Sequence, residues 1–175
     1  MLRLPNQFIG RATAIALLAT GFSMTQLLAQ TTGNATMTAN LADVLQLTVN
    51  TPAVNLNFAT VADYNNGVTS AVANQLTVTS NRPYNLMVKT SGVNLVNGAN
   101  TIPVSNISAQ TTGTGNGTAT PVAALSTTDQ TLASAVPPSM SKTISMQYST
   151  AAANQAFLKP AGPYVTTLTY TVVAN

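Results

Sequence analysis

Apolar and polar positions alternate with period two along most of this chain. The first run holds Ala35, Met37, Ala39 and Leu41, with threonine and asparagine between them. After Asp43 it resumes at Leu45, Leu47 and Val49. Such alternation puts one set of side chains on each face of a strand, so two successive strand segments are expected, pivoting near Asp43. Val54, Leu56 and Phe58 alternate next, with Asn55 and Asn57 facing the other way. Tyr64-Asn-Asn-Gly67 reads as a turn, because asparagine and glycine tolerate positive φ. Strands follow at Leu76 and Val78, then at Tyr84, Leu86 and Val88 beyond the Asn81-Arg-Pro83 turn. Leu95 leads to an Asn97-Gly98 turn, and Ile102 and Val104 lie beyond it. Residues 110–120, rich in threonine and glycine, are expected to form a soft surface loop. A short strand over Leu125–Thr131 and a boundary at Pro137-Pro138 come next. Ile144, Met146 and Tyr148 alternate again, and after a Lys159–Pro163 turn the last strand runs over Tyr164–Val173. The best helical segment, within Thr150–Phe157, amounts to one turn. Short strands separated by turns predict an all-β, antiparallel β-sandwich in one domain.

The first thirty residues read differently. Arg3 and Arg11 make a basic start, Ala12–Leu18 is almost unbroken apolar chain, and small residues follow around Leu28-Ala29-Gln30. That order predicts a secretory signal peptide over residues 1–29. Thr20, Gly21, Ser23, Thr25 and Gln26 interrupt the stretch, whereas a membrane span wants about 20 mostly apolar residues. Residues 30–43 then form an N-terminal extension and 44–175 the domain, exported and with no membrane span after cleavage.

Charge and missing residue types exclude much. Without the two arginines of the leader, Arg82, Lys89, Lys142 and Lys159 face Asp43, Asp63 and Asp129, so the exported chain is close to neutral. No basic cluster is present to track phosphates, and nucleic acid is not an expected partner. The chain has no cysteine, histidine or glutamate. It therefore offers no disulfide, no imidazole base to activate its hydroxyls, and no paired carboxylates adjacent in sequence. No enzyme activity, cofactor or metal is expected. Asp63 and Asp129 read as turn or strand-end residues, and the five tyrosines as packing residues.

The order of three segments resembles the CFA/I-type (alpha class) fimbrial major subunits assembled by chaperone and usher. These are Asn34-Ala-Thr-Met-Thr-Ala-Asn-Leu-Ala-Asp43 followed by Val44-Leu-Gln-Leu47, then Leu125-Ser-Thr-Thr128, and the ending Pro160-Ala-Gly-Pro-Tyr164 that runs into an alternating strand. Spore coat protein U-like pilin domains share the ending and much of the layout. The resemblance covers essentially all of the chain beyond its leader. It implies an immunoglobulin-like sandwich lacking its last strand, whose groove takes a strand from a periplasmic chaperone and then the N-terminal extension of the next subunit. Carried onto this sequence, the donor strand is Asn34–Leu41, inserting Ala35, Met37, Ala39 and Leu41. The acceptor groove is lined by Leu168, Tyr170 and Val172 or by their neighbours Val165 and Val173. The partners implied are further copies of the chain, head to tail, with a periplasmic chaperone and an outer-membrane usher. The product is a fimbrium at the cell surface. The long threonine-glycine loop and the scarcity of charge depart from the family's pattern. The competing reading is a self-contained secreted sandwich that binds carbohydrate or a host protein, with Ala35–Leu41 as an ordinary first strand.

Overall fold

Ten antiparallel strands realise the alternation among the described residues, which in this computed structural model are 32–175. The expected signal segment, residues 1–29, lies outside them. The strands are β1 (Leu45–Val49), β2 (Thr69–Ser80), β3 (Tyr84–Thr90), β4 (Asn94–Asn97), β5 (Asn100–Pro103), β6 (Ile107–Thr112), β7 (Thr118–Ala119), β8 (Gln130–Val136), β9 (Ser139–Thr150) and β10 (Leu168–Ala174). One sheet has the order β1-β2-β9-β6, the other β10-β3-β8-β7, and β4 with β5 forms a hairpin. The inward sets of both sheets meet in a single buried cluster. Leu76, Val78, Ile144, Met146 and Tyr148 come from the first sheet, and Tyr84, Leu86, Val88, Leu132 and Val136 from the second. The protein is thus an all-β sandwich, as its period-two patterning predicts.

Strand β3 shows why. Tyr84, Leu86, Val88 and Thr90 are buried while Asn85, Met87 and Lys89 are only partly so, the burial expected of a central strand with one face on the core. Lys89 stands on the outer face and pairs with Asp129 at 3.2 Å. Both groups are well exposed, so the pair contributes at most about 1 kcal/mol. Tyr84 is fully buried and its hydroxyl has no hydrogen-bond partner; burial pushes its phenol up to about 12. An unpartnered buried hydroxyl costs more than a missing one. Tyr84→Phe is therefore expected to leave stability unchanged or raise it by about 1 kcal/mol, read from urea denaturation midpoints; a loss of that size would show that the hydroxyl has a partner in solution.

The strand expected over Ala35–Leu41 does not form, and four further local expectations need correction. The Tyr64–Gly67 turn is the end of a helix, α1 (Val61–Asn66). The Thr60 side chain accepts from the Asp63 N–H, and the Asp63 carboxylate accepts from the Thr60 and Ala59 N–H groups at 2.7 and 2.9 Å. This is a capping box, which satisfies donors that the first turn leaves free. Those backbone bonds, Thr60 first, hold the Asp63 carboxyl below its ordinary range. The strand expected over Leu125–Thr131 lies instead at β8, where Leu125 belongs to the preceding loop and Pro137 ends the strand. The last strand's ladder starts at Leu168 rather than Tyr164, because its partner chain turns between β3 and β4; upstream, Val165 exchanges two backbone bonds with Val96. Residues 110–120 are also not a soft loop. Thr111 and Asn116 are buried, Asn116 donates to the Thr112 carbonyl at 3.0 Å, and Thr118–Ala119 pairs with β8.

Candidate functional site

The two sheets leave two strand edges facing the same groove. Backbone bonds at Val165, Thr167 and Asn175 all point toward β3 and β4. In an antiparallel ladder successive residues point their N–H and C=O groups to opposite sides. The even positions from 166 to 174 therefore turn theirs away from β3, along a free edge of β10. Strand β1 behaves in the same way. Val44 and Asn50 bond toward β2, so Leu45, Leu47 and Val49 direct their backbone groups outward. Beyond β1 the chain continues over residues 52–58, where Val54, Leu56 and Phe58 are partly buried and Ala53, Asn55 and Asn57 are exposed. This segment keeps the alternation of a strand, yet among the described residues none of its backbone groups takes part in a backbone–backbone hydrogen bond. Exposed edges of this kind are templates for pairing with another chain.

Between the two edges lies a cavity of about 1040 Å³. Its walls are residues 49–59 on one side and Lys159–Leu168 with Tyr170 on the other, and its floor is core. Ile102, Ile107 and Phe157 make the apolar part of that floor. Phe58 stacks on Phe157 with ring centroids 4.7 Å apart and tilts against Tyr64 at 5.1 Å, fixing one wall to α1.

At one end the floor turns polar. Tyr148 donates to Gln75 Oε1 at 2.7 Å, and the Tyr148 and Tyr170 hydroxyls share a hydrogen bond. A phenol has one proton, so Tyr170 is the donor to Tyr148. A glutamine inside a sheet core is costly unless bonded, and a bulge brings it there. Val72 pairs with Met146 and Leu76 with Ile144, so three residues of β2 stand against one of β9. Asn74 takes a left-handed φ of 49° inside this bulge, and the re-aimed chain carries Gln75 inward beside Leu76. Bulges of this type redirect one side chain while the ladder continues. Burial pushes the phenol of Tyr148 up, with the neighbouring Tyr170 adding to the effect, and burial likewise pushes up that of Tyr170.

The residues named from the sequence fall as follows. Leu168 and Tyr170 are partly buried and line the cavity; Val165 also lines it but is 64% exposed, at the rim. Val172 packs against the core beyond the cavity's end, and Val173 faces outward on the opposite side of β10. Ala35, Met37, Ala39 and Leu41 lie in residues 32–44, which carry no strand. Met37 is 95% exposed and Leu41 83%. The 52–58 wall and Gln75 were not among the residues singled out. The alternation of Val54, Leu56 and Phe58 was visible, but whether a strand has partners depends on distant chain.

The chain's direction at this site is also fixed. Asn81 accepts from the Val44 N–H at 2.9 Å and donates to the Ala42 carbonyl at 2.8 Å. Arg82 bonds the Asp43 carboxylate at 2.9 Å and the Asn175 carbonyl at 2.6 Å. One turn thus ties the start of β1 to the end of β10, at the end of the groove away from Tyr164. Comparison with known protein families finds no family model that matches this chain, and comparison with curated proteins finds no match.

Proposed function

We propose that this protein is the structural subunit of a surface fimbria, polymerised by insertion of one subunit's N-terminal extension into the groove of the next. The observation that carries the reading is the pair of free extended edges, 52–58 and 164–174, on either side of an apolar cavity. A strand laid between them would hydrogen-bond on both sides and place alternate side chains on the floor, the mode called strand addition. The extension has the matching pattern, with apolar Met37 and Leu41 exposed to water. Burying each is worth about 1.5–3 kcal/mol, in addition to the backbone ladder. An immunoglobulin-like sandwich short of its last strand, guarded before assembly by a chaperone strand and delivered by an usher, accounts for the same geometry. The order of segments that resembles alpha-class fimbrial subunits favours it independently.

Polarity follows from the tie at Arg82. The extension leaves the domain where β10 ends, and the cavity opens where the segment leading into β10 begins. Entry and exit lie at opposite ends of one strand, so a contact of this kind is head to tail and does not close on itself.

The test compares the chain from Gln30 with one starting at Ala42. The longer chain is expected to give a boiling-sensitive ladder in detergent gels and filaments by negative-stain microscopy. The shorter one is expected to give neither, and a peptide of residues 34–41 should raise its melting temperature. If both behave as equally stable monomers, the extension is not a donor strand, and a self-contained secreted binding module becomes the better reading.

A further inference from the structure

We infer that the Tyr148–Tyr170–Gln75 cluster sets the register of the inserted strand, by admitting only a small side chain beside it, and that this side chain is Ala35 of a second copy. The inference rests on the strand-insertion reading and adds the pairing, residue by residue.

Length gives the first constraint. On β10 and the segment leading into it, the wall starts at Lys159, but its alternating part runs from Tyr164 to Tyr170, with inward positions at 164, 166, 168 and 170. On the extension, the apolar alternation runs from Ala35 to Leu41, with inward positions at 35, 37, 39 and 41. Both spans are seven residues, about 20 Å of strand, and each offers four positions on one face.

Direction gives the second. Tyr170 is the last residue of β10 on the cavity, and beyond it Val172 packs against the core. Past this closed end, Arg82 joins Asp43 to Asn175. The donor's own domain follows Leu41 within a few residues, so Leu41 must lie at the open end near Tyr164. The inserted strand is therefore antiparallel to β10. Ala35 stands opposite Tyr170, Met37 opposite Leu168, Ala39 opposite Thr166 and Leu41 opposite Tyr164.

Chemistry gives the third. At the closed end the two phenols and the Gln75 amide occupy the floor and are bonded to one another. A large apolar side chain there would have to displace this network and strand its polar groups. A methyl group leaves it intact. One step toward the open end the floor is apolar, and Met37, a flexible gap filler, meets Leu168. A slip of two residues would put Met37 on the tyrosines.

Cysteine pairing reads the register directly, because the natural chain has no cysteine. The even positions of β10 offer the hydrogen bonds, so Thr36 faces Thr169, and Thr38 faces Thr167, as non-hydrogen-bonded pairs whose side chains approach most closely. In the described residues all four threonines are exposed, so replacing them leaves the core untouched. Full-length chains carrying Thr36→Cys with Thr169→Cys, or Thr38→Cys with Thr167→Cys, are expressed in cells that export and assemble the protein. Each is expected to give a covalent ladder on non-reducing denaturing gels. Thr38→Cys with Thr169→Cys, and Thr36→Cys with Thr167→Cys, are diagonal pairs and should give at least tenfold less. Adding Ala35→Leu to the first pair should reduce its ladder at least tenfold, whereas Ala35→Ser should not. A ladder from a diagonal pair in place of the direct ones overturns the register while leaving strand insertion standing. A ladder undiminished by Ala35→Leu overturns the selection of a small side chain. No ladder from any of the four pairs overturns both the register and the insertion on which it rests.

Discussion

Replacing Gly117 by alanine is expected to destabilise the protein by about 2–4 kcal/mol, the size reached when a special backbone conformation and a steric overlap are lost together. Gly117 has φ +66°, and a Cβ there would stand 2.2 Å from the Ser134 carbonyl oxygen and 2.8 Å from the backbone of Ala135. Both neighbours are main chain of β8 and cannot swing aside as a side chain could. The two costs can be separated within this protein. Gly98 has φ +59° in the turn between β4 and β5, but nothing lies within 4 Å of its would-be Cβ. Gly98→Ala should therefore show the conformational part by itself, about 1–2 kcal/mol. Urea denaturation of both variants gives the comparison. Equal losses would mean that the chain around Gly117 relaxes freely and that β7 is not held against β8.

Gly117 also marks where sequence reading fell short. The run from Gln110 to Thr120 has the composition of a mobile loop, and its low complexity hides that single residues in it are fixed. Thr111 completes an inward alternation begun at Ile107 and Ala109. Asn116 folds back on Thr112, and Lys142 donates to the Thr114 carbonyl at 2.9 Å. Composition reports the average demand on a segment, whereas a close approach is a demand on one atom. The helix α1 was missed for a related reason. Tyr64-Asn-Asn-Gly67 carries strong turn chemistry, and it masks the Thr60-x-x-Asp63 capping box immediately upstream.

What could be read was local and periodic. The inward faces of β3 and β9 follow directly from their sequence; for β10 the sequence leaves both faces open, and the fold turns Leu168, Tyr170 and Val172 inward, with Val165 at the cavity rim and Val173 outward. The groove was legible only in part. Alternation marks Val54, Leu56 and Phe58 as one face of a strand, but a free edge is a statement about distant chain that fails to arrive. Gln75 was illegible for a stricter reason. By strict alternation from Leu76 and Val78 it belongs outside, and the bulge at Asn74 reverses it. Asparagine's tolerance of left-handed φ was the one available signal.

Between pH 5 and 9 stability should be nearly flat, and above pH 10 it should fall steeply. Among the described groups the upward displacements belong to Tyr84, Tyr148 and Tyr170, in each case through burial first, with large ones at Tyr84 and Tyr148. A tyrosine displaced upward holds its proton in the folded chain at a pH where the unfolded chain, titrating near 10.0, has released it. Its contribution is fully present below pH 10 and is lost as pH rises from there toward the folded value. Each such group adds a slope of about 1.4 kcal/mol per pH unit once the unfolded chain has ionised. Urea denaturation at pH 8, 10 and 11 measures the slope, and Tyr148→Phe should make it shallower. Flat stability through pH 11 would mean that water reaches these phenols in the folded state. The same titration bears on assembly. A strand lying over the closed end of the groove would shield Tyr170 further and raise its phenol above the value in the free subunit. By linkage, on the proposed strand insertion, strand affinity must then fall as pH rises past that free value, so any filaments assembled in this way should come apart in alkali, with those of Tyr170→Phe the more resistant.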